Sequence, residues 1–382
     1  MKAERINFID SLRGFALFGV IIINFAIFQY GELADELFSA GSYVDQATYV
    51  IITLFFRDSF YAIFIFLLGY SFIKMTESMQ SGFIPFRMAI IRRALAFIVV
   101  GCIHGMFIFG NDVLLLYGLA LFIYLAFAKS DVDTFFNWAT VIAIITGIIF
   151  LISNFMGDDI TPSPSEKEAA IYANGSYAEI FELRLTIVDE FQRIEFASLF
   201  AIIIVAVILF FVLSPLTLGP LAFLGMGYAR KRIFTDPQND KALYKKLALM
   251  LPVGIVFKAF LILHLPFQYF FFSVGAWLVA GGYIGIFALL YTKYSEIRLF
   301  AWLANIGRLS LSMYIMQSII GVLIFYGFGL GLFGKLGPFA GCLISIAVFL
   351  LQVWISQIYL KKFQRGPLEW LLRKWTYLTL EK

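Results

Sequence analysis

The chain has 382 residues, of which 61% are hydrophobic and only 14% charged, with a mean hydropathy of +0.89 and a net charge of +4. A soluble domain sits near ~45–50% apolar and ~25% charged, so water cannot be the solvent for this much apolar surface. Two isolated cysteines, Cys102 and Cys342, and two histidines, His104 and His264, exclude a disulfide framework, a CxxC redox motif and a His-rich metal cluster.

The opening MKAERINFIDSLRGFALFGVIIINF has basic residues before an apolar run but no small-residue cleavage site, which predicts an uncleaved first span. Ten apolar segments have about the length a helix needs to cross a bilayer: 12–28, 59–76, 93–110, 113–129, 135–156, 200–229, 247–264, 270–292, 309–327 and 338–360. The expected fold is therefore all-α, a polytopic transmembrane helical bundle of about ten spans in one domain over residues 1–382. Segment 200–229 is too long for one straight crossing. It alone carries the signals of a broken span, Ser214-Pro215 and Gly219-Pro220.

On this reading the segments predicted to face outward carry only Arg57, Lys167, Arg184, Arg193 and Lys335 among their basic residues, and, apart from Arg13, Lys258 and Arg308 at or within spans, the inner segments and the tail hold the rest. That asymmetry puts both ends in the cytoplasm. Splitting segment 200–229 into two crossings would move the basic tail WLLRKW outside. Residues 29–58 and 157–199 are then extracytoplasmic segments. Residues 361–382, with Trp370, Trp375 and Tyr377 among basic residues, read as an amphipathic helix at the inner interface.

An ionisable group near a span costs a few kcal/mol, so each one asks for a partner or a role. Asp10 and Arg13 open the first span, three apart on one helix face, with Gly14 leaving room for a helix or ligand. They are either an interface anchor or part of a site. Arg57-Asp58 precedes the second span at its outer side, as a helix cap or as the wall of a pocket. His104 lies in GCIHGMF, and the hairpin Gly110-Asn111-Asp112 follows. One imidazole and one carboxylate at the same outer end of neighbouring helices can pass a proton. The bland alternative is a buried interhelical His with Asp112 as a helix cap. Lys258 and His264 lie in the seventh segment without a visible partner. Arg308 opens the ninth, where Ser310, Tyr314 and Gln317 recur along the helix as substrate contacts or as interhelical glue. No Gly-rich phosphate loop, HExxH or GxSxG stands in the chain, and GFGLGLFG follows no strand. Basic residues are spread over the inner loops, which argues against nucleic-acid binding.

These residues carry a resemblance. IDSLRGFALFGVIIIN, RRALAFIVVGCIHGMFIFGNDVLLLYG, NGSYAEIFELR and LAFLGMGYARKRIF, with LANIGRLSLSMYIMQSIIGVLIFYGFGLGLFG and FQRGPLEWLLRKWTYL, resemble the YeiB-like family of bacterial inner-membrane proteins along most of the chain. The last two pieces are similar to the family's C-terminal domain of unknown function. The family is distantly similar to membrane acyltransferases such as lysosomal heparan-α-glucosaminide N-acetyltransferase. The shared trace is Asp10-x-x-Arg13-Gly14. The resemblance departs at the second span, where those enzymes carry a catalytic His and this chain has Arg57-Asp58-Ser59.

The resemblance implies acyl-CoA as co-substrate near the inner ends, where Arg13, Arg92, Arg93 and Arg308 meet its phosphates. His104, helped by Asp112, would act as base toward a glycan or lipid acceptor. Asp10, Asn111, Arg57, Asp58, Tyr314 and Gln317 would complete the substrate contacts. The competing reading is a permease whose polar path relays protons or ions, and a third is a scaffold that senses envelope state. No metal is expected. The lipid bilayer is the expected partner. The sequence does not set the oligomeric state, a homodimer being one option.

Overall fold

A chain segment surrounded by hydrocarbon must satisfy its backbone groups internally, and the helix does so without a partner strand. The computed structural model describes residues 7–31, 41–79, 85–110, 112–154, 166–192 and 219–378, and every regular element among them is a helix. The chain is an all-helical membrane bundle, as expected.

The elements in order are α1 (Asn7–Tyr30), α2 (Tyr43–Ile51) running into a π-helical turn (Ile52–Phe56), and α3 (Ser59–Met79). Then come α4 (Phe86–Phe107), α5 (Val113–Ala126), α6 (Val132–Ser153), α7 (Glu166–Asn174) and α8 (Tyr177–Gln192). Helix α9 covers residues 219–230. There follow α10 (Lys241–Ala248), α11 (Met250–Ile262), α12 (Gln268–Tyr294), α13 (Arg298–Arg308), α14 (Ser310–Phe325), α15 (Pro338–Lys362) and α16 (Pro367–Tyr377).

Five stretches are long and apolar enough to cross by themselves: Asn7–Tyr30, Tyr43–Met79, Val132–Ile152, Gln268–Tyr294 and Pro338–Lys362. The pair α13 and α14, bent by 81°, makes a sixth when taken as one span. Helices α4, α5 and α11 cover three further predicted segments. Most of predicted segment 200–229 lies outside the described residues.

Helix α1 is the axis of the bundle. It is apolar all round and buried on all sides, as a helix without a solvent stripe must be. A Cβ on Gly14 would collide with the Leu303 carbonyl oxygen, and one on Gly307 with the Asp10 carbonyl oxygen. This glycine pair sets the close crossing of α1 and α13. Gly14 therefore makes room for a helix.

The loops assigned to opposite faces gather at opposite ends of the bundle. At one end Arg230 bonds Glu77 and the Ala128 carbonyl, and Tyr70 donates to the Ile233 carbonyl at 2.8 Å. At the other end Gly334 N–H donates to the Gln29 carbonyl, Gly327 N–H to that of Tyr172, and Phe339 N–H to Asp45.

Residues 43–56 of predicted segment 29–58 are helical and run toward α3 in one apolar stretch, Tyr43–Met79. Ile52 and Thr53 are buried in the bundle. Arg57-Asp58 interrupts that stretch, with Asp58 exposed. Asp58 takes the left-handed conformation there, and Phe60 on the next turn packs against Gly19 in the middle of α1. The tail forms a helix with two unlike faces. Helix α16 buries Leu372 and Thr376, while Trp370 and Trp375 stay exposed.

Candidate functional site

Helices α4 and α5 approach closely at Gly101, where a Cβ would lie 2.5 Å from the Leu115 nitrogen and 2.9 Å from Asp112 Oδ2. That closeness brings His104, three residues from the end of α4, beside Asp112, which precedes α5. Nδ1 of His104 lies 3.1 Å from Asp112 Oδ1, with side-chain exposures of 1% and 3%. The pair is at ion-pair distance but off the hydrogen-bonding direction, since Nδ1 makes no bond of acceptable angle. Among the described residues, His104 Nε2 and Asp112 Oδ2 are also buried without a hydrogen-bond partner.

Tyr314 completes the group. Its hydroxyl donates to Asp112 Oδ1 at 3.3 Å, and its ring lies 5.4 Å from the imidazole. The pairing of His104 with Asp112 was expected, but no spacing brings in Tyr314, which is on α14, 202 residues away from Asp112.

The α4–α5 hairpin is sunk below the outer end of the bundle. Phe109 packs on Phe28 with ring centroids 4.3 Å apart. The outer helix α8 covers the hairpin. Tyr177 donates to the Phe107 carbonyl and Arg184 to the Ile108 carbonyl, both at 2.9 Å. Helix α5 has 14 residues and, at about 1.5 Å per residue, is some 21 Å long, shorter than the ~30 Å of a bilayer's hydrocarbon.

Beneath the triad lies a cavity of about 250 Å³. Tyr61, Tyr117 and Tyr314 line it nearest the triad, and Asp10, Arg13, Arg93, Arg308 and Glu369 line its other end. His104 and Asp112 sit one layer behind Tyr314 and do not line it. Three guanidinium groups at one end make it suited to an anion.

Arg13 donates to Asp10 at 2.6 Å and to the Ser71 hydroxyl at 2.5 Å. Arg308 donates to the Gln364 carbonyl at 3.2 Å. Tyr61 donates to Asn24 on α1. Glu369 reaches in from α16, takes the backbone N–H groups of Leu311 at 2.8 Å and Ser312 at 3.0 Å, and bonds the Ser312 hydroxyl at 2.5 Å.

Of the residues singled out in the sequence, Asp10, Arg13, Arg93, Arg308 and Tyr314 meet around this cavity, with His104 and Asp112 behind it. Asn111 lies outside the described residues. Arg92 does not line the cavity. Gln317 is interhelical glue: it bonds Gln352 at 2.8 Å, and Gln352 donates to the Met313 carbonyl. Arg57 and Asp58 stand at the break of the second span, where Lys258 donates to the Arg57 carbonyl. Sequence reasoning missed Tyr61, Tyr117, Ser71 and Glu369. Only Glu369 had a signal, as the third residue of a helix begun by Gly366-Pro367.

Residues 228–379 match the family described as Protein of unknown function (DUF418). The uncharacterized protein YxaH of Bacillus subtilis (strain 168) is 29% identical over 399 aligned positions, covering 98% of this chain and 95% of that protein. The uncharacterized protein YeiB of Escherichia coli (strain K12) is 23% identical, covering 99% of this chain and 97% of that protein. An uncharacterized 39.9 kDa protein of Bacillus acidopullulyticus is 27% identical over 98% of the chain and 94% of its own length. The alignments run nearly end to end, through α1, the α4–α5 hairpin and the α13–α14 bend, so this chain is similar to the YeiB-like proteins along almost its whole length.

Proposed function

We propose that the protein is a membrane acyltransferase that takes an acyl group from a cytoplasmic acyl-CoA and passes it to a hydroxyl or amine of a glycan or lipid. The observation that carries this reading is the cavity itself. It leads from Arg13, Arg93 and Arg308 to the layer of Tyr61, Tyr117 and Tyr314 in front of His104 and Asp112. The arginines are placed to hold the donor's phosphates. The thioester end would extend toward Tyr314.

As the acceptor hydroxyl or amine attacks the thioester carbon, Tyr314 takes its proton and passes its own to Asp112 and so to His104, the base behind the cavity wall. Asp112 stabilises the imidazolium that results. The carbon–sulfur bond breaks, and the imidazolium returns its proton to the leaving thiolate. The acceptor would enter from the outer end, past α8.

Labelled acetyl-CoA given to purified protein tests this. The expected result is thioester hydrolysis or transfer, reduced about 100-fold or more in His104→Ala, since a positioned base contributes roughly 10²–10⁴. Absence of turnover in the wild-type protein, or turnover unchanged in the variant, overturns it.

A permease reading draws support from one observation. Two spans break inside the bundle, at Arg57-Asp58 and at Leu309, and discontinuous helices are where many transporters hold substrate. Counterflow of a solute in liposomes without thioester turnover would favour it.

A further inference from the structure

The buried cation that acyl transfer leaves unused is Lys258. It lies on α11 and is fully buried. A lone ammonium in hydrocarbon is costly, so its surroundings must compensate the charge. They do so at one place. Nζ donates to the Arg57 carbonyl at 2.7 Å and to the Ser59 hydroxyl at 3.1 Å. It also sits over the Phe272 ring, 5.0 Å from the centroid. The Arg57 carbonyl ends the π-helical turn, where a helix presents partial negative charge. The Ser59 hydroxyl passes its own proton to the same carbonyl at 3.3 Å. Tyr283 from α12 donates to the Phe55 carbonyl at 3.0 Å.

What this junction controls is the rotation of α3. Tyr61, Phe64 and Leu68 share the face of α3 that lines the cavity beneath the triad. Ala62 and Phe66 share another face, which lines a separate apolar cavity of about 630 Å³. Successive residues of a helix are turned by about 100°, so a slip of one residue at the break would exchange these faces.

We propose that Lys258 is a positioning residue, a tethered cation that holds the break between Arg57 and Ser59 and so sets the face that α3 presents to the cavity. Its place in catalysis rests on the acyl-transfer reading, but its hold on α3 does not.

The test uses the full chain with Cys102 and Cys342 replaced by Ser. A single cysteine is introduced at Phe64→Cys or, as a control on another helix, at Leu311→Cys. Labelling by a membrane-impermeant maleimide from the cytoplasmic side is followed. Lys258→Met is expected to lower labelling at position 64 at least 10-fold, to leave position 311 within 2-fold, and to be restored by Lys258→Arg. Ser59→Ala removes one ammonium partner without burying a new charge and is expected to lower labelling at position 64 about 3-fold. Unchanged labelling at position 64 in Lys258→Met overturns the proposal. Where Lys258→Met is not recovered folded, unchanged labelling in Ser59→Ala overturns it. Labelling needs no thioester turnover, so failure of the acyl-transfer reading leaves this test standing.

Discussion

Two spans of this bundle break within it, and the breaks are closed by opposite charges. At Arg57-Asp58 the exposed backbone group is a carbonyl at the end of a helical turn, and a lysine ammonium takes it. At Leu309 the exposed groups are the amides that begin α14, and the Glu369 carboxylate takes two of them. Each cap has the sign that the helix end favours, a cation at the carbonyl end and an anion at the amide end. The difference lies in reach and shielding. Lys258 is sealed among helices, whereas Glu369 comes from α16 at the mouth of the cavity and lines it. A mid-membrane break can therefore be locked from within, or capped by an element that also borders the site.

The largest effect should come from Glu369. Glu369→Ala removes a carboxylate that accepts two amides and a hydroxyl, and charged hydrogen bonds contribute roughly 1.5–3 kcal/mol. We expect a loss of about 2–3 kcal/mol, read as a lower midpoint in detergent denaturation. Glu369→Gln, which keeps an acceptor oxygen, should recover about half. A midpoint unchanged in Glu369→Ala would mean that the α14 amides find another partner, and the symmetry between the two breaks would fail.

The middle effect belongs to the other break. Ser59→Ala leaves Lys258 with the Arg57 carbonyl and the Phe272 face, so about 1 kcal/mol should be lost, the value of one net hydrogen bond. A loss as large as that of Glu369→Ala would show that the lysine depends on the hydroxyl more than on the carbonyl.

How much of this could be read from the chain follows from which energies are local. The membrane bundle was legible because apolar length and charge asymmetry are properties of consecutive residues. Asp10, Arg13, His104, Asp112, Arg308 and Tyr314 were legible one by one, because hydrocarbon penalises each on its own. Their meeting was not. The Asp112–Tyr314 bond spans 202 residues and the Lys258–Arg57 bond 201, and no spacing rule reaches that far. That Arg57-Asp58 interrupts a longer helical stretch was not legible. A charged pair beside an apolar run ordinarily marks the membrane surface, and here it marks a break whose cap comes from another helix. Gln317 could be read either as a substrate contact or as interhelical glue, and its side-chain N–H donates across to Gln352 while its Oε1 is buried without a partner.

The smallest expected effect isolates the π-helical turn from the lysine. Tyr283 donates to the Phe55 carbonyl, two residues before the one that Lys258 takes. Tyr283→Phe removes that hydroxyl and keeps the ring, which packs on Phe15 and Phe60. Because the charge at the break is untouched, the loss should be about 0.5–1 kcal/mol, at the low end for a neutral bond. Maleimide labelling at Phe64→Cys should stay within 2-fold of the parent. If Tyr283→Phe lowered that labelling as much as Ser59→Ala, the rotation of α3 would be set by the whole turn and not by the ammonium. The contrast between a locked break and a capped one would then rest on the π-helix, with Lys258 as one of several partners.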